Sequence, residues 1–113
     1  MNIRSAKAKG WRAAAEVAEA LLAFAPDLED GDIRVTPSSV TGADLLLSPK
    51  ARERFPFVIE VKNCERLNIW AALDQARRHS KGGPLVPLLV FRRNRTELHV
   101  TLPLTDFLNL LKR

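Results

Sequence analysis

The sequence predicts an α/β domain in which helices flank a mixed central β-sheet, in the order α-β-β-β-α-β-β-α. Three observations carry this expectation. Apolar residues recur at helical spacing in two segments, near residues 5–24 and 68–80. Short apolar runs bounded by Pro, Gly or charged turns fall between and after them. The chain has 113 residues, 46% hydrophobic and 27% charged, which is enough for one core and too few for two.

The first helix is expected over about Ser5 to Phe24, where Ala14, Val17, Ala18, Leu21 and Leu22 form a stripe and Pro26 stops the chain. Gly31–Thr36 alternates and reads as a short strand ended by Pro37-Ser38-Ser39. Strands are expected at about Asp44–Ser48 and Pro56–Lys62, with the polar segment Pro49–Arg54 as the hairpin turn between them. Asn68 is a suitable N-cap for a second helix to Ser80, which Gly82-Gly83 close. Its last turn carries Arg77, Arg78, His79 and Lys81, which suit a helix C-terminus electrically. An apolar strand Leu85–Phe91, an Arg-rich turn, an alternating strand Glu97–Leu102 and an amphipathic helix from about Thr105 to Lys112 complete the chain.

Composition narrows the function classes. The apolar runs fall far short of the roughly 20 residues of a membrane span, and Met1–Lys7 has no apolar signal-peptide region. The single cysteine, Cys64, rules out an internal disulfide, and with two histidines leaves too few soft ligands for a structural zinc site. The expectation is a cytoplasmic protein with no membrane partner. Net charge is +5 and the pI about 10.0. The basic residues cluster at Arg4/Lys7/Lys9/Arg12, Lys50/Arg52/Arg54, Arg77/Arg78/Lys81 and Arg92/Arg93/Arg95, as expected for a polyanion partner. Basicity without a specific partner is the equal alternative. Lys7, Lys9 and Arg12 on the first helix, with Arg92, Arg93 and Arg95 on the turn, are the candidate contacts to DNA backbones. No base-reading module is visible.

The chemistry-bearing pattern is Gly42-Ala43-Asp44 followed, after a spacer of fifteen residues, by Glu60-Val61-Lys62. Residues two apart on a strand share a face, so Glu60 and Lys62 project together. Their strand is otherwise apolar (Phe57, Val58, Ile59, Val61), which predicts burial on both faces. A charge there needs a partner or a metal. Asp44, Glu60 and the carbonyl of Val61 form an oxygen set suited to Mg²⁺, with Mn²⁺ as a substitute. Lys62 would stand near an attacking water or a scissile phosphate, to orient or deprotonate the one and offset charge on the other.

Asp44, the spacer and Glu60-Val61-Lys62 resemble the PD-(D/E)xK nuclease superfamily, whose fold is restriction-endonuclease-like. Lys9-Gly10 followed by Glu16, and Gln75 followed by the strand ending Phe91-Arg92, resemble archaeal- and phage-type Holliday junction resolvases in particular. The resemblance spans about Lys7 to Leu111. It implies a homodimeric, Mg²⁺-dependent endonuclease that cuts branched DNA, with Glu16, Asp44, Glu60 and Lys62 in the active site. A phage origin would place it in the host cytoplasm. Ala43 stands where the motif usually has proline.

Each residue also has a plainer reading. Glu16 can pair with Arg12 one turn earlier. Asp44 can cap its turn, and Glu60 with Lys62 can be a cross-strand charge pair. Gln75 can be solvated rather than a phosphate contact, and Ser39 can serve its turn. Trp11 and Trp70 are expected in the core or a dimer interface rather than stacked on bases. His79 and His99 lack metal-like spacing. Rival functions are a nuclease of the same fold with a nicking, flap or restriction-type substrate, a non-catalytic DNA-binding module, and a subunit-interaction domain.

Overall fold

Helix α1 (Ile3–Phe24) buries the stripe Ala13, Ala14, Val17 and Ala18. The computed structural model describes residues 3–112, with the side chains of α1 from Lys7 onward. Arg4 therefore lies outside the described side chains. The helix ends where Ala25 N–H bonds back to the carbonyls of Leu21 and Leu22 and Pro26 offers no further donor. A 3₁₀ turn at Asp30–Asp32 leads into β1 (Ile33–Val35), which pairs antiparallel with β2 (Leu45–Leu47).

The segment expected to be a hairpin turn is a helix, α2 (Pro49–Arg54). Ser48 caps it, its hydroxyl accepting the Ala51 N–H at 3.1 Å, and Pro49 takes the first helical position, where its missing donor costs nothing. Ala51 is wholly buried and anchors the turn to the core. The observed order therefore gains one short helix between the second and third strands.

Strand β3 (Phe57–Asn63) is central. It pairs parallel with β4 (Val86–Arg92) across helix α3 (Ile69–Ser80), and β4 pairs antiparallel with β5 (His99–Thr101). Parallel neighbours require such a crossover. Pro87 sits inside β4, but β5 reaches only as far as Leu89, so its absent N–H breaks no ladder on that side. The two-stranded and three-stranded parts join at one backbone bond, Asp44 N–H to Ile59 C=O at 3.0 Å. The result is a mixed α/β fold with helices on both faces of the sheet.

The pleat divides β3 between two layers. Ile59 and Val61 pack with the α1 stripe, Ile33, Leu45, Leu88 and Val90. The alternate residues face α3, whose buried positions are Ala72 and Ala76. Helix α4 (Leu104–Leu111) has no buried residue, and Leu104, Phe107, Leu108 and Leu111 are exposed. Among the described residues no helix is long and apolar enough to cross a membrane.

Candidate active site

Asp44 is held from both sides before its carboxylate is considered. Its N–H bonds to Ile59 of β3, and its C=O accepts from Thr36 N–H at 2.9 Å beyond the end of β1. The Thr36 hydroxyl also donates to the Ala43 carbonyl at 2.6 Å. The carboxylate then folds over β3, where Oδ2 accepts the N–H of Val61 at 2.7 Å. In an extended strand a residue's N–H and C=O point to the same edge. The Val61 carbonyl is therefore directed to the side that Asp44 occupies, beyond the end of the β2 ladder.

Glu60 is 0% exposed, in a strand that is apolar on either side of it. One oxygen, Oε1, sits against Nδ1 of His79 from the last turn of α3. The other, Oε2, has no hydrogen-bond partner among the described residues. Burial disfavours the carboxylate and raises its pKa to about 7; the His79 bond opposes this, and the nearby Asp44 charge adds to it. A buried carboxylate with an unpartnered oxygen beside a second carboxylate is costly for a structural role alone.

Asp44, Val61 and Lys62 line one cavity of about 440 Å³, together with Lys7, Trp11 and Ser38. Glu60 lies behind this surface, next to Asp44, rather than on it. Among the described residues no group of three or more His, Cys, Asp and Glu is arranged to hold a metal ion. The oxygens present are two carboxylates and a strand carbonyl. That hard donor set, completed by waters, is one that Mg²⁺ or Mn²⁺ accepts. The orphaned Oε2 of Glu60 is the structural reason to regard the set as fitting a cation.

Other expected site residues fall elsewhere. Glu16 does not line the cavity. It lies five residues after Trp11, roughly 140° round the helix, and accepts a bond from Arg92 at 2.5 Å. That guanidinium holds the Glu16 carboxyl below its ordinary pKa. Its partner is thus Arg92 rather than the Arg12 of the i,i+4 reading. Lys9, expected on DNA, is only 9% exposed and is chiefly a packing residue. Lys7 and Arg12 are exposed, as are Arg93 and Arg95 on the turn after β4. Arg92 and Arg93 line a second cavity of about 280 Å³ with Cys64, Phe91 and His99. Gln75 is half-buried on α3, and Ser39 is exposed in its turn while Ser38 reaches the cavity.

Trp11 and Trp70 are not core residues, being 59% and 78% exposed, which leaves only the dimer-interface half of that expectation. His79, which sequence spacing dismissed, is the direct neighbour of Glu60. The histidine lies nineteen residues after Glu60, and only the return of α3 across β3 brings them together, so no local motif marks it. Comparison with family models, with curated proteins and with solved structures finds no match to this chain.

Proposed function

We propose that this chain is a divalent-metal-dependent DNA endonuclease of the PD-(D/E)xK, restriction-endonuclease-like class, acting on four-way junctions as a homodimer in the cytoplasm. The observation that carries the reading is the Asp44–Glu60 pair. Asp44, just before β2, lines a cavity that also receives Lys62, and beside it stands Glu60 of β3, wholly buried with one oxygen unpartnered among the described residues.

Asp44, through the oxygen not bonded to Val61, Glu60 through Oε2, and the Val61 carbonyl would hold Mg²⁺ or Mn²⁺. A bound cation supplies Lewis-acid polarisation of the phosphoryl oxygen and a more acidic water. Lys62 orients that water and offsets negative charge on phosphorus. His79 is a positioning residue that fixes the Glu60 carboxylate through Oε1. Lys7 and Arg12 on α1, with Arg93 and Arg95 on the turn after β4, are exposed cations suited to phosphate contacts that place a duplex without reading its sequence. Glu16 is assigned to orienting Arg92, outside the catalytic group.

The homodimer reading is supported by α4, whose apolar stripe is left exposed by the described residues. A twofold dimer presents two equivalent sites, which suits paired cuts in a symmetric junction. The test is cleavage of a labelled immobile four-way junction beside a linear duplex, with Mg²⁺ or EDTA, by wild type and Glu60→Ala. Paired symmetric nicks in the junction alone, lost with EDTA and in the variant, support the reading. Equal cutting of linear DNA removes the junction selectivity. Binding without cutting removes the enzyme.

A further inference from the structure

We propose that Trp11 is a stacking platform for an unpaired nucleobase, so that the cavity holding Asp44 and Lys62 takes a single-stranded or branch-point nucleotide. The inference rests on the reading of the cavity as a DNA site and names the feature of DNA that it selects.

The indole is 59% exposed on the middle of a long helix, yet lines the same cavity as Asp44 and Lys62. Among the described residues the aromatic pairs are Phe24–Phe55 and Phe91–His99, so no aromatic ring stacks on Trp11. Gly10, the residue before it, lines the cavity too. The cavity volume of about 440 Å³ falls within the range of small-ligand sites.

The other lining groups match a nucleotide. Lys7 and Lys62 are the cations of the cavity, and Thr36 and Ser38 bring hydroxyls. Lysines suit the phosphate, and the exposed ring suits a base, which every nucleotide presents as a π-face. In regular duplex those faces are already covered by neighbouring bases. Only a terminal, splayed or unpaired base can stack on a protein ring. Trp11 therefore discriminates by strand structure rather than by sequence.

The composition makes the test clean. The chain has two tryptophans and no tyrosine, so Trp70→Phe leaves Trp11 as the only indole emitter. Titration in EDTA with a short oligothymidylate, and with a duplex of equal length, separates binding from cleavage. The expected result is quenching of Trp11 emission by the single strand and little change with duplex. Trp11→Ala should weaken single-strand binding roughly tenfold to a hundredfold, leave duplex binding unchanged, and be largely rescued by Trp11→Phe. Emission that stays constant at saturating oligothymidylate, wild-type affinity in Trp11→Ala, or no binding of either DNA would overturn the assignment. Quenching by a protein that cuts nothing in Mg²⁺ would remove the nuclease reading and leave the stacking intact. Cutting by Trp11→Ala with undiminished preference for branched DNA would do the reverse.

Discussion

His79 closes one side of the Glu60 carboxyl and leaves the other oxygen without a partner among the described residues. The pairing joins the last turn of α3 to the centre of β3, so the position of the carboxylate depends on how α3 packs over the sheet. Its consequences are measurable at several residues.

His79→Ala removes the group that orients Glu60 without touching the proposed cation. Loss of such an outer partner should lower metal affinity or cleavage roughly ten- to a hundredfold. His79→Gln, which can still donate to the carboxylate, should recover part of that loss. Metal-dependence curves for the two variants separate positioning from simple destabilisation, because a purely structural role would leave the metal midpoint of the folded variants unchanged.

Glu60 sets a pH signature for the metal-free protein. Its folded pKa is about 7 against an ordinary value of 4.5, so the folded state binds the proton more tightly than the unfolded chain. Its contribution to stability is fully present below pH 4.5 and falls as pH rises to about 7. Glu60→Gln removes that slope. Above pH 7 in EDTA the variant should be more stable than wild type, by an amount on the order of 1–3 kcal/mol. Added Mg²⁺ should raise the melting temperature of wild type and leave the variant where it was. Thermal melts across pH 5 to 8 check both.

Much of this site was legible in the sequence, for a definite reason. Glu60 interrupts an apolar strand, and a charge in that setting has to be buried with a purpose. The apolar runs also predicted strands at β2 and β3, although the structure joins these through the Asp44 N–H bond to Ile59 rather than as a paired hairpin. The failures have equally definite causes. Ser48-Pro49 is a helix-start signal, but the charged residues after it read as a turn. Glu16 and Trp11 are close in sequence, and only the angular position on α1 separates a salt bridge to Arg92 from a place in the cavity. Lys9 looked like a free cation because its stem can lie along a core while its type suggests solvent. His79 required the tertiary fold.

Lys62 is assigned to the reaction and not to holding the cation. Lys62→Met should lower cleavage by about 10²- to 10⁴-fold with no loss of Mn²⁺ binding. Single-turnover rates at saturating Mn²⁺ test this. A variant that fails only by weaker metal affinity would recover at high metal, contrary to the assignment.

Glu16 provides a negative control that the family resemblance alone would not have chosen. Its carboxylate is half-exposed and bonded to Arg92. Glu16→Gln should cost no more than about 1 kcal/mol of stability and leave the cleavage rate at its wild-type level. A large loss of activity with stability unchanged would return Glu16 to the catalytic group.

The central claim is that Asp44 and Glu60 together form one cation site. Mn²⁺ retention, read by electron paramagnetic resonance on wild type, Asp44→Asn and Glu60→Gln in the absence of DNA, tests it most directly. The account predicts one bound ion per chain in wild type, with affinity that rises with pH as Glu60 loses its proton, and loss of that ion in both variants. Equal Mn²⁺ retention in all three proteins, or none in wild type, would contradict it.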